Sequence, residues 1–211
     1  MNAVCISASN MVASNNESTS YRVCEMIKEI LLQNGSICKI IELRKYDLSP
    51  CVGCGNCFVS KRCCRDKDFN TIYNEIAEAN CVFFVSPHYA PIPAKLSMLL
   101  EKMEEITFLR WWKDNTYKSE LHNIPAGIIS HGGASDWALK SYKSMVNDTI
   151  ANALETIQCK TIPFNEVWNT GISIPVCKIE EKHDIFPVQL YDWAAIREIV
   201  QEYVNCVIRV I

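Results

Sequence analysis

The sequence predicts an α/β fold in which a doubly wound parallel sheet carries helices on both faces. Short apolar runs alternate along the chain with longer segments of helical periodicity, which is typical of parallel strands joined by crossover helices. The run "CVFFVS" at 81–86 is almost wholly apolar, as expected of a central strand that is buried on both faces. The chain has 211 residues and only seven glycines and eight prolines, so it can bury a sizeable core and should contain no long flexible linker. We therefore expect a single domain over residues 1–211.

Five strands and five helices can be placed on this pattern. The predicted strands are 2–8, 36–43, 81–86 and 124–130, with a fifth inside 160–168. The predicted helices cover about 18–33, 70–79, a segment from Pro93 onward, 136–156 and 189–208. Gly35 can end the first helix, and Asn70 can cap the second. This arrangement matches the five-stranded flavodoxin-like order 2-1-3-4-5.

Composition and charge argue against two classes of partner. The net charge is −3 and the pI is about 5.8, and no Lys/Arg stripe is present, so we expect no nucleic-acid partner. The start "MNAVCISASN" lacks the features of a signal peptide, and the longest apolar run, "CVFFV" at 81–85, is far too short to span a membrane. Free cysteine behaves as a small hydrophobe, so many of the twelve cysteines are expected to be core thiols of a cytoplasmic protein.

The loop after the first strand is the first candidate ligand site, because ligands of open α/β sheets bind at the carboxyl ends of the strands. The loop "SNMVASNNESTSY" at 9–21 has no glycine, which argues against both a dinucleotide fingerprint and a P-loop. It carries hydroxyls and leads into a helix, whose N-terminus suits a phosphate held by neutral donors. The hydroxyl residues are Ser9, Ser14, Ser18, Thr19 and Ser20. The alternative is a helix-capping loop with no ligand.

Two further loops are expected at the same edge of the sheet. In "SPHYAPIPAKL" (86–96), prolines stiffen a turn that presents His88 and Tyr89, and in "SHGGAS" (130–135) paired glycines let backbone approach a ligand closely. A phosphate cradle, an aromatic turn and a glycine turn together suit a flat aromatic phosphate such as FMN. Taken singly, His88 and His131 are expected to be surface loop histidines rather than catalytic ones.

At this point the chain resembles the NADPH-dependent FMN reductase-like flavoproteins of flavodoxin fold, including the iron–sulfur flavoproteins. The segments "PCVGCGNC" (50–57), "DKDF" (66–69), "CVFFVSPHY" (81–89) and "AKLSMLLEK" (94–102) follow the order and spacing of that family. The likeness covers about 1–160. The first loop departs from the family pattern, because Ala8 replaces a glycine, Asn10 replaces a proline, and the loop is longer.

The resemblance implies a non-covalent FMN and electron transfer from NAD(P)H, or from a protein donor, to a flavin, a quinone or another small acceptor. The Ser-Pro-x-Tyr turn of the family, which contacts the flavin, maps onto 86–89, and "HGG" (131–133) maps onto its third flavin loop. The predicted cofactor-binding residues are Ser9, Asn10, Ser18, Thr19, Ser20, Pro87, His88, Tyr89, Ala90, His131, Gly132 and Gly133. No essential acid–base residue is expected, since the flavin itself carries the chemistry.

A cysteine-rich segment, "CVGCGNCFVSKRCC" (51–64), is the second candidate site. Cys51, Cys54, Cys57 and Cys63 form C-x2-C-x2-C-x5-C, and three cysteines at successive three-residue spacings are typical of cubane cluster loops. In the resembling family this spacing holds a [4Fe–4S] cluster in some members, whereas other members carry plain thiols. Zinc is a weaker alternative, because structural zinc sites use two well-separated pairs. Cys64 can replace Cys63 or be a bystander.

Seven other cysteines are expected to pack in the interior. They are Cys5, Cys24, Cys38, Cys81, Cys159, Cys177 and Cys206.

Three functions therefore remain open from the sequence. The first is an NAD(P)H-dependent flavin or small-molecule reductase, the second is an iron–sulfur electron carrier between protein partners, and the third is a zinc-stabilised interaction module. The aromatic segment "FLRWWKD" (108–114) adds a hypothesis of a homo-oligomer, specifically a homodimer, because aromatic residues are enriched at interfaces. The alternative for this segment is one buried and one half-exposed tryptophan.

Overall fold

The computed structural model describes residues 1–11, 18–180 and 188–211. Its sheet is parallel and runs in the order β2-β1-β3-β4-β5. The strands are β1 (Asn2–Ser7), β2 (Ile37–Glu42), β3 (Cys81–Pro87), β4 (Pro125–His131) and β5 (Lys160–Thr161). A further strand, β6 (Ile172–Ile174), also pairs with β4. The predicted flavodoxin-like order is confirmed.

The fifth position of the sheet is divided between two short strands rather than filled by one strand within 160–168. β5 pairs with the start of β4, and β6 pairs with its end. Between them the chain leaves the sheet at Pro163, which has no N–H to donate to a strand ladder. It returns at Gly171, which has φ +114° and lies so close to the Ile128 carbonyl that a Cβ would be 2.1 Å from that oxygen.

Helices cover both faces of the sheet, each with its own core. On one face lie α1 (Thr19–Gln33) and α7 (Trp193–Ile208). On the other lie α3 (Lys67–Ala77), α4 (Ala94–Lys113) and α6 (Asp148–Thr156). The short helices α2 (Cys57–Ser60) and α5 (Leu139–Tyr142) belong to loops, and β7 (Lys178–Glu180) pairs antiparallel with β8 (Val188–Leu190). Within the described residues, no helix is both long and apolar enough to cross a membrane.

The cap of α3 differs from the prediction. Asp66, not Asn70, caps the helix, and its carboxylate accepts a hydrogen bond of 2.8 Å from the Phe69 amide. The Asn70 side chain instead accepts from the Cys63 amide at 2.8 Å and donates to the Cys63 carbonyl at 2.7 Å. Asn70 thus ties the end of the cysteine-rich segment to α3.

Two predicted helices also have different bounds. The helix expected over 136–156 consists of a 3₁₀ turn (Asp136–Ala138), α5, a π-helical turn (Lys143–Asn147) and α6. The last helix begins at Trp193 rather than 189, because Asp192 caps it and 188–190 pairs as β8. The apolar residues Leu96, Leu99, Met103 and Ile106 at helical spacing on α4 are buried, and Lys102 is buried beside them.

Candidate functional site

The described residues of the three predicted loops meet at the carboxyl edge of the sheet. The Ser20 hydroxyl, in the first turn of α1, lies 2.7 Å from Nε2 of His131 at the end of β4. The His88 amide donates to the His131 carbonyl at 2.8 Å. His131 therefore links the loop that follows β1 to the turn that follows β3.

Burial controls the charge of His131. The side chain is only 7% exposed, and burial lowers its pKa from 6.5 to about 4. The imidazole is therefore neutral at physiological pH, so one ring nitrogen donates and the other accepts. A cofactor phosphate at this edge would meet neutral donors here rather than a positive charge.

The start of α1 shows how the hydroxyl residues are used. Ser18 caps the helix and accepts from the Tyr21 amide at 3.2 Å, and the buried Ser9 accepts from the Met11 amide at 3.2 Å. Thr19 is half-buried and Asn10 is exposed. The predicted Ser14 lies outside the described residues. The free N–H groups of the first turn remain suited to an anion.

The glycine turn fits tightly against α5. A Cβ on Gly132 would lie 2.4–2.7 Å from ring atoms of Tyr142, whose hydroxyl accepts from the Ala134 amide at 2.9 Å. A Cβ on Gly133 would lie 2.9 Å from Nε2 of Gln189. Glycine at 132 is therefore required by the aromatic ring packed beneath it.

The turn after β3 presents an aromatic surface beside the glycine turn. The His88 and Tyr142 rings lie 5.6 Å apart, and Tyr89 exposes 44% of its surface. Pro87 is buried, whereas Ala90 is exposed and adopts a left-handed φ of 49°. This turn therefore offers a flat ring at the edge where the glycine turn offers backbone.

Residues from the end of the chain complete this edge, and sequence reasoning missed them. The Tyr191 hydroxyl donates to Oε1 of Gln189 at 2.9 Å. Burial raises the pKa of Tyr191, and the interaction with the Thr19 side chain opposes that rise. The Tyr191 ring lies 4.9 Å from that of Trp193, over which the Arg22 guanidinium sits at 3.9 Å. The signal in the sequence was "YDW" (191–193), aromatic residues in the turn that opens the last helix.

The cysteine-rich segment surrounds a cavity. The five cysteines line about 270 Å³ together with Arg65, Lys102 and Glu105. They are Cys51, Cys54, Cys57, Cys63 and Cys64. In the described part of the chain, no three His, Cys, Asp or Glu side chains are grouped closely enough to hold a metal ion.

The thiols in this cavity differ from one another. The side-chain nitrogen Nδ2 of Asn56 lies 3.7 Å from Sγ of Cys54 and 3.4 Å from Sγ of Cys64. A backbone hydrogen bond from Asn56 lowers the pKa of Cys54, assisted by Cys64 and Arg65, whereas burial raises the pKa of Cys57. Cys54 is thus the cysteine best prepared to act as a thiolate.

A buried ion pair anchors the segment. Asp66 and Lys102 are 4% exposed each, and the two side chains are in direct contact. Burial would raise the pKa of Asp66, but Lys102 and the amides of Phe69 and Ser49 outweigh it and hold that pKa below its usual range. The pair thereby joins α3 and α4 to Ser49, two residues before the cysteine-rich segment.

One group of cysteines departs from the prediction. Cys177 is exposed and Cys206 is half-buried, whereas the other five predicted core thiols are buried. Cys177 lies just before β7 at the surface, so the apolar character of cysteine did not decide its position.

The sequence and the structure were compared with known proteins. The chain matches the NADPH-dependent FMN reductase family over residues 1–166, and no match was found among curated proteins. RosB with the bound intermediate 8-demethyl-8-formylriboflavin-5'-phosphate has a similar structure, with TM-score 0.65, 13% identity, and coverage of 97% of this chain and 76% of that one. Flavodoxin 1 from Bacillus cereus is similar with TM-score 0.57 and 11% identity, and the match covers 100% of this chain and 99% of that one. The NAD(P)H:quinone oxidoreductase from Methanothermobacter marburgensis is similar with TM-score 0.51 and 17% identity, and the match covers 75% of this chain and 83% of that one.

The chain belongs to the NADPH-dependent FMN reductase family. It is thus an oxidoreductase of the NAD(P)H-dependent FMN reductase type, with FMN as the cofactor that the family uses. The solved structures share its flavodoxin-like fold at low sequence identity. The predicted family and fold are therefore confirmed.

Proposed function

We propose that this chain transfers electrons from NAD(P)H, through an FMN held at the carboxyl edge of the sheet, to a free flavin, a quinone or another small acceptor. The observation that carries the proposal is the convergence of three loops at that edge, joined by the Ser20–His131 hydrogen bond. These loops combine a helix N-terminus, an exposed aromatic ring and a glycine turn. This combination fits a flat, phosphorylated ring.

The residues of this chain act by binding and orienting the cofactor. The first turn of α1 would hold the phosphate with backbone N–H groups, and the neutral His131 would keep Ser20 in place. Tyr89 and the backbone of Gly132 and Gly133 would border the ring. The flavin supplies hydride and electron chemistry when bound, so no protein acid or base is needed for that step.

A steady-state assay tests this proposal. The FMN-loaded protein is mixed with NADPH or NADH, with and without a quinone or free FMN, and nicotinamide oxidation is followed by absorbance. We expect sustained turnover that depends on the acceptor. A protein that binds FMN but whose flavin is reduced by neither nucleotide would contradict the reductase function.

A second candidate function is that of an electron carrier between proteins, with a [4Fe–4S] cluster on Cys51, Cys54, Cys57 and Cys63. One observation supports it: all four thiols line the same cavity. They are not gathered at metal-binding distance, so the segment would have to close around a cluster, as ligand sets that are ordered by their metal do. Iron and acid-labile sulfide in anaerobically purified protein test this function, and about four irons per chain are expected for a cubane.

We also propose a homodimer that uses the aromatic end of α4. Trp111 and Trp112 are 42% and 74% exposed, and Phe108 is 39% exposed, so the alternative of one buried and one half-exposed tryptophan is wrong. Exposed aromatic groups of this size favour an interface. Sedimentation at micromolar concentration should give a dimer that Trp112→Glu converts to a monomer, and a monomeric parent protein would contradict this proposal.

We further propose a cytoplasmic location. The support is the exposed thiol-bearing segment, since accessible thiols such as Cys54 and Cys64 stay reduced in that compartment. Fractionation of cells that express the native chain tests this, and recovery outside the cytoplasm would contradict it.

A further inference from the structure

Another cavity, of about 510 Å³, lies beyond the glycine turn. It is bounded by β6, by the turn that begins at Ser135, and by the first two turns of α7. The cavity lies beside β6, the short strand that pairs with the end of β4. Its volume falls in the range of small-molecule sites, about 300–1,000 Å³.

The walls of this cavity are mainly apolar. Ile172, Val176 and Ile196 are buried and form its inner part, and Leu139 and Ile199 are half-buried. Such walls favour an aliphatic or aromatic ligand body, because burying apolar surface is favourable.

Two carboxylates and an indole supply the polar recognition. Asp136 and Asp192 line the cavity from two different elements, and Trp168 lines it with a half-buried ring. Both hydrogen bonds to Asp192 from the start of α7 use Oδ1, which leaves Oδ2 for a ligand. Among the described residues, neither carboxylate forms an ion pair with a basic side chain, and none of the residues lining the cavity is basic.

We propose that this cavity binds an organic cation with an apolar body, such as an alkyl- or arylammonium compound. An ammonium group is attracted by both carboxylates and by the face of an indole. An anion of the same shape would meet two negative charges that no basic side chain in the described part of the chain compensates, and a neutral alcohol would gain neither attraction. Charge complementarity therefore selects the cation, while the isoleucine walls hold its body.

This site is separate from the predicted flavin-contacting residues, and its binding does not depend on FMN. The cavity borders the predicted flavin-contacting residues, since Asp136 comes three residues after Gly133 and Asp192 directly follows Tyr191. A ligand in the cavity would therefore lie beside the edge that we assign to the cofactor, and the site goes beyond the proposed function.

Calorimetric titration of the full chain, with and without added FMN, tests the proposal. The probes share one body and differ in the end group: phenylbutylammonium, phenylbutanol and phenylbutanoate. We expect the ammonium to bind about tenfold more tightly than the alcohol, and the carboxylate to bind most weakly. Equal affinity for ammonium and alcohol, or no binding of the ammonium, would overturn the proposal.

Two variants and a charge-matched control locate the binding. Asp136 and Asp192 are both exposed, so Asp136→Asn and Asp192→Asn should each weaken ammonium binding about two- to fivefold, as expected for loss of one exposed ion pair, and leave alcohol binding unchanged. Asparagine and aspartate are about equally good helix N-caps, so Asp192→Asn should keep α7 intact. Thermal unfolding of the variant checks this. Glu202→Gln, an exposed position on α7 outside the cavity, removes the same charge and should have no effect. An equal loss in Glu202→Gln would mean that the attraction is only that of the net charge.

Discussion

The Oγ of Ser20 and Nε2 of His131 lie 2.7 Å apart, and both side chains are buried. They come from residues 111 positions apart in the chain. The contact fixes the first turn of α1 against the end of β4, which are the two elements that we assign to the phosphate and to the ring of the cofactor. It therefore connects the stability of the fold with the geometry of the proposed site.

Ser20→Ala should lower both stability and FMN affinity. The substitution leaves a ring nitrogen of the buried His131 without its partner, which typically costs about 1–3 kcal/mol. Urea unfolding measures the first effect and flavin fluorescence titration measures the second. Ser97→Ala is the control, because Ser97 is an exposed serine on α4 and should change neither. An unchanged FMN affinity in Ser20→Ala would separate this bond from the site.

Stability should fall as the pH falls from about 6.5 towards 4. The pKa of His131 is about 4 in the folded chain and 6.5 when unperturbed, so the unfolded chain takes up a proton first. The contribution of the neutral imidazole to the free energy of unfolding is thus fully present above pH 6.5. About 3 kcal/mol of that free energy is lost once the pH is below 4. Unfolding free energies across this range should decline less in His131→Gln, and an equal decline in both proteins would contradict the assignment.

The two glycines of the turn should respond differently to alanine. In Gly132→Ala the new Cβ meets the Tyr142 ring at 2.4–2.7 Å, so we expect a loss of about 1–3 kcal/mol from overpacking together with weaker FMN binding. In Gly133→Ala it meets only the end of the flexible Gln189 side chain, so stability should hold within about 0.5 kcal/mol. Thermal unfolding of the matched pair measures the difference. Equal losses would mean that the Tyr142 ring does not determine the turn.

Removing the cation of the buried ion pair should strongly lower the free energy of unfolding. Lys102→Met leaves Asp66 charged and uncompensated in the interior, which typically costs about 3–5 kcal/mol. The double variant Asp66→Asn with Lys102→Met should recover part of this loss, because asparagine still caps α3 and carries no charge. Denaturant unfolding of the single and double variants measures this. A double variant less stable than Lys102→Met would contradict the account.

Local patterns were sufficient to predict the sheet order, the family and most helices. β3 and β4 are buried at every position, and such strands appear in a sequence as unbroken apolar runs. Gly35, predicted to stop α1, has the left-handed φ of 69° that such a position favours. These features are set by neighbouring residues, so a single sequence contains them.

Features that depend on distant partners could not be predicted in this way. The cap of α3 is Asp66 because Lys102, 36 positions away, compensates its charge, while Asn70 is held by Cys63. The fifth strand divides because Gly171 packs onto the Ile128 carbonyl. Tyr142 and Gln189 reach the site only through tertiary packing, so the spacing of residues in the sequence does not reveal them, whereas Tyr191 could have been found from the aromatic "YDW" turn (191–193).

The most direct test of the central claim is the flavin content of the purified chain. Protein purified with added FMN and freed of excess by gel filtration should be yellow with a two-banded spectrum, and should release about one FMN per chain on denaturation, as the single predicted site requires. Ser20→Ala and Gly132→Ala should each release less. A folded parent protein that retains no flavin would contradict the assignment of the sheet edge as the cofactor site.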